Sequence, residues 1–115
     1  MKIKLIGEKR ALVVDVEGEL DHHTAAALRE NVERKIKTTN ASNIIFNFSG
    51  LKFMDSSGIG VIMGRYKTVK LLGGKMIIFG AGRQAKRILE MSGIDKIVSF
   101  CDDETSALTL IGKKH

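Results

Sequence analysis

Asp55-Ser56-Ser57-Gly58 places two hydroxyls between an acidic loop residue and the glycine-containing first turn of an expected helix, a setting that invites an anion. A helix N-terminus presents unpaired N–H groups and a partial positive charge, so a phosphate is stabilised there; phosphorylation of a serine adds about −1.5 to −2 charge. The plainer reading of the four residues alone is that Ser56 or Ser57 simply caps the helix. Gly80-Ala81-Gly82-Arg83-Gln84-Ala85 has the letters of the G-x-G-x-x-A dinucleotide fingerprint, with acidic residues about twenty positions later. That fingerprint opens a full mononucleotide-binding half, whereas only a short strand and one helix remain here, so the glycines read better as a turn needing backbone freedom. His22 and His23 would point about 100° apart on a helix and would need further ligands to hold a metal, and His115 is terminal. Serines are present without a nucleophile elbow. No catalytic constellation, metal or cofactor is expected.

These residues must be positioned by a series of short elements. Lys2 to Gly7 reads as a strand, Glu8-Lys9-Arg10 as a turn, and Ala11 to Gly18 as a valine-rich second strand, so a β-hairpin opens the fold. Asp21-His22-His23-Thr24 offers capping side chains before a helix over Ala25 to Lys37, where Ala25, Leu28, Val32 and Ile36 recur at helical spacing. Asn43 to Phe48 is an apolar strand suited to the sheet centre, covered on both faces. A loop over Ser49 to Asp55 leads to a helix from Ser57 to Leu72, stopped at Gly73-Gly74. Gly58, Gly60 and Gly64 fall along one side of it, where missing side chains permit close approach to the sheet or to a partner; Arg65, Lys67 and Lys70 follow too soon for a membrane-dimer motif. Met76 to Phe79 is a buried strand, Gln84 to Ser92 a helix closed by Gly93, and Ile97 to Phe100 a short strand. Asp102-Asp103-Glu104 starts a last helix to about Ile111, its acids facing the positive end of the dipole. The alternation implies one α/β domain over residues 1–115, a mixed, largely parallel sheet with helices packed on it.

A chain of 115 residues suffices for one such core, and 43% hydrophobic and 28% charged residues describe an ordinary globular protein. The single cysteine, Cys101, has no intramolecular disulfide partner, no apolar run approaches the roughly 18 residues of a membrane span, and the N-terminus lacks a signal-peptide layout. A cytoplasmic protein is expected. The net charge of +6 raises nucleic acid as a partner, but residues 1–50 carry eight basic and seven acidic side chains and 51–115 eleven and six, with lysines scattered along helices and not gathered in a patch. Neither nucleic acid nor membrane is expected as a partner. A small nucleotide-binding or nucleotide-hydrolysing protein is the rival reading from the glycines and the basic charge, although G-x-x-x-x-G-K-[ST] is missing.

The strings Gly18-Glu19-Leu20-Asp21-His22-His23-Thr24-Ala25 and Phe53-Met54-Asp55-Ser56-Ser57-Gly58-Ile59-Gly60-Val61-Ile62-Met63-Gly64-Arg65-Tyr66-Lys67 resemble the anti-sigma factor antagonists of the STAS domain family. Met91-Ser92-Gly93-Ile94, followed by Lys96-Ile97, is also similar, and the resemblance spans essentially the whole chain. Glu-Leu-Asp-His-His and Met-Asp-Ser-Ser-Gly point to the sporulation subgroup. The resemblance implies a STAS-type fold and a non-enzymatic switch: the unphosphorylated protein binds an anti-sigma factor that is also a serine kinase and frees a sigma factor. Ser56 is then the phosphorylated residue, Ser57 the less favoured hydroxyl, and a PP2C-type phosphatase restores the active form. It further places Glu19, Asp21, Asp55, Ser57, Gly58 and Ile59 in the partner interface. Glu19 and Asp21 are expected to be exposed and removable at little cost in stability, unless Asp21 caps the first helix. The chain departs from the expected pattern in being strongly basic, which bears on long-range steering toward the partner.

Overall fold

The structure, a computed structural model, describes residues 1–112. Strands β1 (Lys2–Ile6) and β2 (Ala11–Asp15) form the antiparallel hairpin that opens the chain, turned by a short 3-10 segment at Gly7–Lys9. The chain continues through β3 (Gly18–Leu20), α1 (His22–Thr38), β4 (Asn43–Asn47), β5 (Leu51–Met54) and α2 (Ser56–Leu71). It ends with β6 (Met76–Phe79), α3 (Arg83–Met91), β7 (Ser99–Cys101) and α4 (Glu104–Gly112). Five strands form the main sheet in the order β1-β2-β4-β6-β7, parallel from β2 onward, and β3 pairs with β5 in a separate two-stranded parallel sheet.

Period-two alternation divides the core. Leu12, Val14, Ile44, Phe46, Met76 and Ile78 face one side, where they meet Leu28 and Val32 of α1, Ile62 and Val69 of α2, and Leu89 of α3. Ala11, Val13, Ile45, Ile77 and Phe79 face the other side and are covered by Ala107, Leu108 and Ile111 of α4. β4 is therefore central and apolar on both faces, as its sequence requires. Each fully buried Leu, Ile or Phe contributes about 1.5–3 kcal/mol.

Four expectations need correction. The Ala11 to Gly18 segment is two strands, because Gly18 takes a positive φ of 72° and redirects the chain out of the main sheet. The segment from Ser49 to Asp55 is not all loop, since β5 lies within it. The Ile97 to Phe100 strand lies later, at Ser99–Cys101, after a 3-10 turn at Ile94–Lys96. Helix α1 begins three residues earlier than its apolar periodicity suggests, because Asp21 caps it. His115 lies outside the described residues.

Candidate functional site

Two short parallel strands end side by side, and each runs straight into a helix. Leu20 and Met54 are paired across β3 and β5, and the Asp55 N–H donates to the Leu20 carbonyl at 3.1 Å. Helices α1 and α2 therefore start next to each other, with Asp21 and Asp55 as their N-caps. Leu20 and Met54 are fully buried beneath this junction. Gly58 fits against both: a Cβ there would stand 2.6 Å from Met54 Cγ and 3.0 Å from Leu20 Cδ2. Close approach to the sheet side is thus the role of Gly58 alone, because a Cβ on Gly60 or Gly64 would meet nothing within 4 Å.

The α1 start is tied by a reciprocal capping box. Asp21 Oδ1 accepts from the N–H groups of His23 at 2.9 Å and Thr24 at 3.1 Å, and the Thr24 hydroxyl accepts from the Asp21 N–H at 3.0 Å and donates to the Glu19 carbonyl at 2.9 Å. The Thr24 N–H bond is the main cause holding the Asp21 carboxyl below its ordinary pKa, with the His23 N–H adding to it. Glu19 is exposed, whereas Asp21 is half-buried and engaged in capping, so Asp21 cannot be removed at no cost in stability.

The α2 start is tied differently. Among the described residues Asp55 Oδ1 accepts only from the Ser57 N–H, at 2.8 Å, and so Asp55, not Ser56 or Ser57, is the capping side chain. Ser56 is the first residue of the helix, exposed, and its hydroxyl has no hydrogen-bond partner among the described residues. Ser57 is half-buried and lines a groove of about 460 Å³ between α1 and α2, together with His22, Arg29 and Gly60. Glu19, Asp21, Asp55, Ser56 and Ser57 thus gather at one end of the molecule. Gly58 is buried and Ile59 packs partly into the main core, so these two shape the helix start from beneath.

Two features escape a reading of the sequence. The Gln84 side chain, in the first turn of α3, takes the Met54 N–H at 3.0 Å through Oε1 and gives its Nε2 proton to the Met54 carbonyl at 2.8 Å. Behind the helix starts, Arg65 of α2 is 8% exposed, with Nε 2.7 Å from Glu33 Oε1 of α1 and Nη1 buried without a partner among the described residues. Burial is the main cause drawing the guanidinium pKa down, with Glu33 opposing it. An arginine on the inner stripe Val61, Arg65, Val69 was the available signal for this pair; nothing local marks Gln84. Gly80 takes a φ of 75° and sits against Ser49, so it serves a tight turn, while Gly82 is the extended N-cap residue of α3. Among the described residues no group of three His, Cys, Asp or Glu stands together to hold a metal, and no helix is long and apolar enough to cross a membrane.

A sheet of this order with paired helix starts at one end is the architecture of the STAS domain, whose family pattern matches residues 2–107; the chain belongs to the STAS domain family. Within that family its likeness is to the anti-sigma factor antagonists. A protein named anti-sigma F factor antagonist from Paenibacillus polymyxa is 38% identical over 109 residues, covering 95% of this chain and 93% of the relative. The solved structure of the anti-sigma factor antagonist SpoIIAA in its unphosphorylated form superposes with a TM-score of 0.77 at 24% identity, covering 97% of this chain and 98% of that one. The Bacillus cell fate determinant SpoIIAA in its phosphorylated form gives 0.76 at 26% identity, covering 96% and 97%.

Proposed function

We propose that this protein is a phosphorylation-controlled anti-sigma factor antagonist of the sporulation type, acting in the cytoplasm. Unphosphorylated, it binds an anti-sigma factor that is also a serine kinase and so frees a sigma factor. The kinase then transfers the γ-phosphoryl of ATP to Ser56: an Oγ–P bond forms, the bond to the ADP oxygen breaks, and the hydroxyl proton passes to a base on the kinase. A PP2C-type phosphatase reverses the modification. Glu19, Asp21, Asp55, Ser57, Gly58 and Ile59 belong to the partner-facing end, the first two orienting the kinase and Gly58 and Ile59 holding the helix start in shape.

The observation that carries this reading is the contrast between neighbouring hydroxyls. Ser56 stands exposed and unpartnered at the first position of α2, while Asp55 already supplies the cap and Ser57 turns toward the groove. A phosphate on Ser56 meets a helix N-terminus able to hold it without refolding the domain, and it places a dianion beside Asp55 on the face that meets the kinase nucleotide. Incubation with the cognate kinase and ATP, followed by mass spectrometry with fragmentation, should find one phosphate, on Ser56. Modification at Ser57 alone, or none at all, overturns the reading.

A further inference from the structure

We infer that Gln84 is a positioning residue for the Ser56 switch, its carboxamide clamping the Met54 peptide on the open edge of β5 so that α2 starts in one fixed direction. The inference rests on Ser56 being the phosphorylated residue. In a strand, the N–H and C=O of one residue point to the same side, and those of its neighbours to the other. Asp55 reaches back to Leu20 on the β3 side, so Met54 points its polar groups away from β3, where β5 has no strand partner. The Met54 side chain is fully buried, and its peptide groups require partners. Gln84 satisfies both at once, at 3.0 and 2.8 Å, standing in for the missing strand.

The consequence is geometric. Two consecutive residues ahead of Ser56 are fastened from opposite sides, Met54 by Gln84 and Asp55 by Leu20. No third strand holds this end of β5, so the direction of the first turn of α2 depends on α3. A carboxamide alone among side chains of this length offers one acceptor and one donor in the required fork. Glutamate at pH 7 keeps the acceptor and loses the donor, and methionine keeps the length and loses both.

The test uses the full chain with Gln84→Glu and Gln84→Met beside the unsubstituted protein. Phosphorylation by the cognate kinase is measured as separate kcat and KM, with the Met54 amide followed by hydrogen exchange. Expected is a graded fall in kcat, about tenfold for Gln84→Met and less for Gln84→Glu, with KM and the affinity of the unphosphorylated complex within about twofold. Met54 exchange should rise by about tenfold in Gln84→Met while β4 amides keep their protection. If the unsubstituted protein is phosphorylated on Ser56 and both variants match its kcat, the clamp has no positioning role and the reading of Ser56 stands. If the unsubstituted protein gains no phosphate on Ser56, both ideas are overturned.

Discussion

The starts of α1 and α2 are near-copies in plan. Each follows a short strand of the same parallel pair, each is capped by an aspartate, and the two lie side by side. They differ at the third helical position, where α1 has Thr24 and α2 has Gly58. Thr24 closes a reciprocal capping box at the α1 start, whereas Gly58 has no side chain to return a bond and is instead pressed against Met54 and Leu20. The neighbouring hydroxyl of Ser56 is left without internal work. Two starts built alike thus differ, one closed by its own side chains and the other leaving an exposed hydroxyl, the group proposed above as the phosphate acceptor.

The strongest way to break that difference is to place charge on the open start. Ser56→Asp should weaken binding to the kinase by about a hundredfold or more, while keeping a native-like circular dichroism spectrum, whereas Ser56→Ala should bind, release the sigma factor and escape inactivation. Equal affinity for Ser56→Asp and the parent, by calorimetric titration, would remove the electrostatic basis of the switch. Next comes the Arg65–Glu33 tie that holds the two helices to one another. Glu33→Ala strands a buried guanidinium and should cost about 2–3 kcal/mol in urea unfolding, less than a fully buried pair because water reaches Glu33. Arg65→Met leaves Glu33 with access to solvent and should stay within about 1 kcal/mol of the parent; equal losses for the two would show that the pair acts only by packing.

A smaller effect sharpens the comparison between the caps. Asp21→Ala should lower Tm by about 5 °C and Asp55→Ala by less, since Asp21 accepts two N–H bonds within a capping box and Asp55 accepts one. Binding to the kinase should rank them in the opposite order. The smallest effect is on acid stability. Asp21 has its carboxyl pKa held below the usual 3.8 in the folded chain, so the stability it adds is fully present above the unfolded value and is lost as pH falls through 3.8 toward the folded one. Between about pH 5 and 2, Tm should fall less steeply in Asp21→Ala than in the parent; identical slopes would mean that the capping box does not outlast the unfolded reference.

The main sheet was legible because β2, β4 and β6 are runs of apolar residues bounded by turn signals, α1 because its inner residues repeat at helical spacing, and the later helices because glycine stops and an acidic first turn mark their ends. The mini-sheet was not. Three or four residues such as Gly18–Leu20 and Leu51–Met54 are too few to display a period, and their pairing spans over thirty positions of sequence. The strings around Asp21 and Ser56 pointed to both helix starts, yet which residue would cap and which would stay free depended on Asp55 winning the N–H of Ser57. Gln84 was invisible as a functional support because its partner Met54 lies about thirty residues away and no local pattern pairs them, whereas Arg65 on the inner stripe of α2 signalled a buried partner without naming Glu33. The glycine fingerprint near Gly80 shows the opposite failure, a suggestive string in which Gly80 makes a tight turn and Gly82 only precedes the first turn of α3.

The parallel pairing of β3 with β5, closed from outside by Gln84, also fixes when this surface can exist during synthesis. A nascent chain that has passed Met54 can bring the two strands together only by closing a long intervening segment. Its Met54 peptide still lacks the α3 side chain that completes it, thirty residues further along. Domains fold as their residues leave the ribosome, N-terminal parts first, and contacts between distant positions form late. The serine-bearing helix start is therefore finished only when α3 has been made, so a chain truncated ahead of Gln84 would carry Ser56 without the setting that gives it meaning.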